Sequence, residues 1–123
     1  MKFTLDARTD VNLIRGYGDA VVRVGERSVP MPCILSADTL ISDWDAPRAE
    51  DLAGEHLARV WALEPEVILL GTGSRQRFAP TAVREACAAR GIGLESMDLG
   101  AACRTYNILV QEERRVVAVL FAS

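Results

Sequence analysis

The run EVILLG at residues 66–71 constrains the fold most, because its four central residues are all apolar. A short, wholly apolar run is typical of a parallel strand that is covered on both faces. Pro80 then opens a helix that Gly91 closes, and IGLESM predicts the next strand. A helix through about Glu112 and a strand over Val116–Phe121 complete the alternation. This part of the chain therefore predicts a parallel or mixed sheet with right-handed crossovers.

The chain up to about Trp44 has a different texture, in which β-branched residues are broken by glycines at short intervals. This pattern predicts an antiparallel β-meander with tight turns. Pro30 and Pro32 cannot both donate to a central ladder, so their strand is expected at an edge or a bulge. The stretch TLISDW predicts one more short strand.

A helix is predicted between the two halves, starting at Asp45, with Pro47 in its first turn and Pro65 as its end. Four apolar residues support it by recurring at helical spacing: Leu52, Leu57, Val60 and Leu63. No repeat, linker or low-complexity segment divides the chain. We therefore expect a single α/β domain over residues 1–123, with an N-terminal antiparallel β-meander followed by a mixed βαβαβ sheet and helices packed on it.

Charge and cysteine content exclude several classes of function. Fourteen basic and seventeen acidic residues give a net charge of -3, which offers no general attraction to nucleic acid. No targeting segment and no apolar run of about 20 residues is visible, so we expect a cytoplasmic protein without membrane insertion. The three cysteines lack the paired spacing of a metal site and are expected to be core thiols. Neither a metal nor a cofactor is predicted.

The loop LLGTGSRQRFAP at residues 69–80 resembles a phosphate-binding turn but fits no complete motif. A P-loop needs a lysine followed by serine or threonine, and a dinucleotide fingerprint needs a third spaced glycine. The nucleophile elbow of hydrolases is also absent. Clustered backbone amides with Arg75 and Arg77 leave anion binding open, and a purely structural turn with solvated arginines is the alternative.

The predicted topology brings this loop near a second polar segment, because parallel strands joined by a crossover helix end at the same sheet edge. We expect that edge to hold the GTG loop together with the next helix start. The candidate ligand-binding or partner-binding residues are Gly71, Thr72, Gly73, Arg75, Arg77, Asp98, Cys103, Arg104, Thr105 and Asn107. No residue is assigned a catalytic role at this point.

The segment MDLGAACRTYNILVQEER resembles the signature of a family of small uncharacterised α/β proteins. That family includes the mitochondrial assembly factor of respiratory NADH:ubiquinone oxidoreductase (complex I). The RGYG turn, Trp44, the LLGTG loop and RGIGLE agree in order. The resemblance implies a β-meander with a mixed α/β sheet, and a protein partner such as a respiratory complex subunit or assembly protein. Two departures are Leu99, where many relatives have threonine, and Glu113, where many have glycine; the second is expected to alter only a turn.

Two functions follow as hypotheses. In the first, the protein is a non-catalytic binding or assembly module whose 71–78 edge, with Arg104, docks a partner protein. In the second, it is a small enzyme or anion-binding protein whose pocket is formed by the GTG loop, Asp98, Cys103 and Arg104. Cys103, placed at a helix start, would then have a lowered pKa and act as a nucleophile.

Overall fold

The computed structural model describes residues 10–122, which begin with a three-stranded antiparallel sheet. Its strands are β1 (Ile14–Gly18), β2 (Val21–Val24) and β3 (Arg27–Pro30), in the order β1-β2-β3. The predicted meander is confirmed, and Pro30 ends the edge strand β3, where its missing N–H costs no central ladder bond.

A five-stranded mixed sheet forms the centre of the molecule, in the order β5-β4-β8-β6-β7. Its strands are β4 (Cys33–Leu35), β5 (Leu40–Ile41), β6 (Val67–Thr72), β7 (Gly93–Met97) and β8 (Val116–Phe121). β6 is parallel to both β7 and β8, whereas β4 is antiparallel to β8 and to β5. Every residue of β6 and β8 is buried, as expected of strands that are covered on both faces.

Two apolar clusters cover the two faces of this sheet. On one face the strand residues pack with α3 (Leu99–Gln111) and the three-stranded sheet around Tyr106. On the other face they pack with α2 (Thr81–Ala89) and the segment that contains α1 (Ala58–Trp61). The predicted mixed α/β fold is therefore confirmed, and the carboxyl ends of β6, β7 and β8 meet at one edge.

The continuous helix predicted from Asp45 to Pro65 is wrong. The segment instead contains two 3₁₀ turns, Ala49–Asp51 and Gly54–Leu57, and the single turn α1. Leu52 has extended backbone between the two turns, with ψ of 136°. The segment is held by contacts that the local pattern does not contain, among them the hydrogen bond from the Trp44 indole to the carbonyl of His56 at 3.0 Å. The apolar spacing still identified three side chains that are buried in the core, Leu52, Leu57 and Val60, whereas Leu63 is only partly buried.

The strand predicted over TLISDW is limited to β5, which has two residues. The other elements lie close to the predicted positions. α2 follows Pro80, Gly91 has a φ of +68°, and α3 ends just before Glu112.

Candidate functional site

The Thr72 hydroxyl organises the loop that follows β6. Its Oγ1 accepts a hydrogen bond from the backbone N–H of Arg77 at 3.1 Å. The same oxygen lies 2.7 Å from the carbonyl oxygen of Arg75 and 3.1 Å from that of Met97, and it can donate its one proton to either. The Ser96 hydroxyl on β7 donates to the carbonyl of Arg77. The backbone at Arg75 and Arg77 is thus held in place by two side-chain hydroxyls, that of Thr72 on β6 and that of Ser96 on β7.

Glycine is required at the two positions of the GTG sequence for different structural reasons. Gly73 has a φ of +80°, in the left-handed region that glycine adopts without strain. At Gly71 a β-carbon would lie 2.9 Å from Leu120 Cδ2 and 3.1 Å from Ala102 Cβ, so only glycine fits between β8 and α3. Gly73 also accepts from the Leu99 N–H at 2.7 Å, which joins the loop to the start of α3.

Asp98 caps α3. Its Oδ1 accepts from the Ala101 N–H at 2.9 Å, the bond that a helix N-terminus needs. Beside the cap lies a cavity of about 630 Å³, and the residues that line it include Gly73, Asp98, Tyr17 and Asp19. Two carboxylates lie at this cavity and no basic residue lines it, so it does not provide the anion pocket that the sequence suggested.

Cys103 is the fifth residue of α3 and is buried against the sheet. Burial raises its pKa to about 11, outweighing the lowering effect of the neighbouring Arg104. Burial, together with Cys103, raises the pKa of Cys33 to about 12. The expected lowering of the Cys103 pKa is therefore wrong: the thiol lies inside the core, one turn beyond the helix start, and is not an activated nucleophile.

Asn107 attaches β1 to α3. Its Oδ1 accepts from the Ile14 N–H at 2.9 Å, and its Nδ2 donates to the Ile14 carbonyl at 2.8 Å. Its side chain thus pairs with the strand as a neighbouring strand would, and it is committed to structure. Arg104 is exposed and Thr105 is half-buried on the same helix, and neither lines the cavity beside Asp98.

A second cavity, of about 690 Å³, lies on the other side of the same loop. Arg75 and Arg77 line it together with Arg48, Glu50 and Phe121. Glu50 has a lowered pKa because its own backbone N–H, its hydrogen bond from Arg48 and the charge of Arg77 favour the carboxylate. Three basic residues and one acidic residue thus line this cavity, which gives it an excess of positive charge.

The single edge site predicted from sequence is thus divided into two. Thr72, Arg75 and Arg77 border the arginine-lined cavity, whereas Gly73 and Asp98 border the acidic one. Arg48 was not among the predicted residues. Its segment gave a helical pattern, and only tertiary packing carries it to the loop.

Other chemistry is limited in the part of the chain that the structure describes. The His56 Nδ1 accepts from the Ala53 N–H at 2.9 Å, so this histidine also has a structural bond. Residues 10–122 contain no group of three or more His, Cys, Asp or Glu side chains that could hold a metal ion. Across the same range, no helix has the length and apolar character needed to cross a membrane.

Comparison with known proteins relates the chain to one family. A family model described as "Protein of unknown function (DUF498/DUF598)" matches residues 14–121. A crystal structure of a protein from Bordetella parapertussis superposes with a TM-score of 0.83 and 34% identity, covering 94% of this chain and 98% of that one.

Two curated relatives carry descriptive names. The "13 kDa major membrane protein" of Francisella tularensis is 33% identical over 104 residues, which are 84% of this chain and 83% of that protein. Human "NADH dehydrogenase [ubiquinone] 1 alpha subcomplex assembly factor 3" is 30% identical over 109 residues, 87% of this chain. The match spans 59% of the human protein, so the chain corresponds to a little over half of that relative.

Proposed function

We propose that this chain, which belongs to the DUF498/DUF598 family of proteins of unknown function, is a non-catalytic binding module that takes part in assembling a respiratory NADH:ubiquinone oxidoreductase. The observation that carries the proposal is the similarity to the human assembly factor over 87% of this chain. The match takes in 109 residues, so most of this chain has a counterpart in that protein.

The environment of the reactive side chains supports a binding role. Asp98 is used as a helix cap and the His56 ring as an acceptor for a backbone N–H. Cys103 is buried with a raised pKa. An enzyme that used these groups would first have to break structural bonds or expose part of the core, which costs free energy without helping a reaction.

The exposed side chains at the carboxyl edge also support a binding role. Arg75, Arg77 and Phe78 are adjacent in one loop, and Phe78 is 81% exposed. Arginine and aromatic residues are enriched where protein interfaces bind most strongly. An exposed phenylalanine beside two arginines on a fixed backbone is suited to docking a partner protein.

We place the protein in the cytoplasm, at the membrane only through its partner. A role in assembling a membrane-bound complex requires contact with subunits rather than a membrane-crossing helix of its own. The description of the Francisella relative as a membrane protein is compatible with such an indirect association.

The test is deletion of the gene in its host, followed by native gel electrophoresis of solubilised membranes and NADH:quinone activity. We expect less fully assembled complex, accumulation of partial assemblies, and recovery when the wild-type gene is returned. Succinate dehydrogenase, assembled independently, serves as the control and should be unchanged. Normal amounts of the assembled NADH:ubiquinone oxidoreductase in the deletion strain would refute the proposal.

A further inference from the structure

The arginine-lined cavity beside the 72–77 loop concentrates positive charge on a molecule with a net charge of -3. Three guanidinium groups, from Arg48, Arg75 and Arg77, border it together with a single carboxylate, Glu50. Glu50 is already paired with Arg48. Within residues 10–122, neither Arg75 nor Arg77 makes an ion pair. The cavity therefore retains two cations that are available to an incoming anion.

The backbone of this loop is fixed while its side chains remain exposed. The Thr72 hydroxyl binds the N–H of Arg77 and contacts the carbonyl of Arg75, and the Ser96 hydroxyl holds the carbonyl of Arg77. A ligand would therefore have to order two side chains but no backbone. Such preorganisation lowers the entropy cost of binding.

The cavity is open to solvent, which favours a large occupant over a small metabolite. Arg75 and Arg77 are exposed, and the Arg48 side chain is 77% exposed. A small metabolite in its binding site usually loses most of its surface to the protein, which this cavity cannot provide. A surface segment of another protein needs only to be covered on one side.

A partly apolar depression of about 410 Å³ borders the same loop, between α2 and the edge strand β7. Phe78, Ala88, Ile92 and Leu94 form its apolar part, and its polar lining includes Arg84 and Glu95. Carboxylates that bind Arg75 and Arg77 would therefore be followed by an apolar contact at Phe78. A duplex nucleic acid would instead require an extended basic surface, against a chain that is acidic overall.

We infer that the arginine-lined cavity, with Phe78 beside it, binds an acidic segment of a partner protein. In that segment, carboxylates are followed by a bulky apolar residue. The inference rests on the proposed function, because it specifies the chemistry of the partner that a binding module would recognise. Guanidinium groups pair with carboxylates through two parallel hydrogen bonds, which gives both direction and affinity.

The probe is a fluorescently labelled synthetic peptide with four consecutive glutamates followed by leucine, and binding is followed by fluorescence anisotropy. The wild-type chain is compared with the double variant Arg75→Gln/Arg77→Gln. The matched control, Arg23→Gln/Arg27→Gln, removes the same charge from exposed positions on β2 and β3. Thermal unfolding checks that both variants fold, which we expect because these side chains are exposed.

We expect the wild-type chain to bind the peptide and the Arg75→Gln/Arg77→Gln variant to bind it about 100-fold more weakly, roughly tenfold for each charge-assisted pair lost. The Kd of the control variant should stay within about twofold of the wild-type value. A peptide with glutamine in place of the glutamates should not bind the wild-type chain. No binding by the wild-type chain, or equal loss in the two double variants, would overturn the inference. Displacement by inorganic phosphate or citrate at concentrations below the peptide's own Kd, or tighter binding of a single-stranded oligonucleotide, would also overturn it.

The deletion strain separates this inference from the proposed function. If the Arg75→Gln/Arg77→Gln gene restores complex assembly as well as the wild-type gene does, the arginine-lined cavity is not the docking site. The inference then fails while the assembly role stands. If deletion leaves assembly intact but the peptide results are as expected, the assembly role fails and acidic-segment binding stands.

Discussion

Replacing Asn107 with alanine is expected to detach β1 from α3. The substitution removes two hydrogen bonds, at 2.9 Å and 2.8 Å, and leaves the N–H and the carbonyl of Ile14 without those partners. Each bond contributes about 1 kcal/mol net, and an unsatisfied buried polar group costs about 1–3 kcal/mol. Alanine returns roughly 0.5 kcal/mol through its higher helix propensity. The expected net loss in the free energy of unfolding is about 2–4 kcal/mol, a large part of a typical domain's stability.

Equilibrium urea denaturation measures this loss, with Gln111→Ala as the control because Gln111 is exposed on the same helix. The control should change the free energy of unfolding by no more than about 0.5 kcal/mol. A loss for Asn107→Ala that is no larger than the control's would show that the Asn107 side chain does not hold β1 in place.

The variant Asn107→Asp adds a dependence on pH to the same test. When ionised, the new carboxylate can accept from the Ile14 N–H but faces the Ile14 carbonyl without a hydrogen to donate; when protonated, it can make both bonds. The folded state would hold this proton more tightly than the unfolded chain, so the pKa of the carboxyl is raised on folding. The variant should therefore be closest to wild type below about pH 4 and lose stability as the pH rises through the folded-state pKa. An equal deficit at every pH would contradict the bonding described for Asn107.

Three further results are expected. Glu113→Gly should raise the free energy of unfolding by about 0.5–1 kcal/mol, since the residue has a φ of +62°, and urea denaturation showing destabilisation would contradict this. Gly71→Ala should lower the free energy of unfolding by about 1–3 kcal/mol, because a β-carbon has no room there. Gly16→Ala should not lower it, because a β-carbon at that position would have no atom within 4 Å, and equal losses for the two variants would contradict the packing at Gly71. Burial raises the pKa of Cys33 to about 12 and that of Cys103 to about 11, from 9.0. The free energy of unfolding should therefore have its full value below pH 9 and decrease above it, because the thiols of the unfolded chain ionise at a lower pH than those of the folded protein. Rapid reaction of these thiols with Ellman's reagent in the native protein at pH 8 would contradict their burial.

The sheet was predictable from the sequence because its signals are local. The apolar run of β6, the proline before α2 and the alternation through β8 each depend on neighbouring residues. The segment after Trp44 was mispredicted as one helix because its apolar spacing is satisfied equally by short turns that are shaped by tertiary contacts. Burial of Leu52 was correctly indicated although its backbone is extended.

The candidate site was less predictable, because its chemistry depends on which face of the sheet edge each side chain reaches. The sequence placed Arg77 and Asp98 together, and the strand ends do converge, but the two residues border different cavities. Arg48 was missed since no local pattern links it to the loop. The burial of Cys103 depends on the rotation of α3 against the sheet, which a helix start alone does not specify.

The hydrogen bonds of Thr72 separate the backbone conformation of the loop from the identity of its arginine side chains. The loop conformation depends on a hydroxyl in β6 and on one in β7, while the bonds at Arg75 and Arg77 involve only their backbone atoms. Substitution of the Arg75 and Arg77 side chains therefore removes none of these bonds. On the proposed docking role, such substitutions would alter recognition while the backbone of the loop stays in place, so recognition and folding would depend on separate atoms of the same residues.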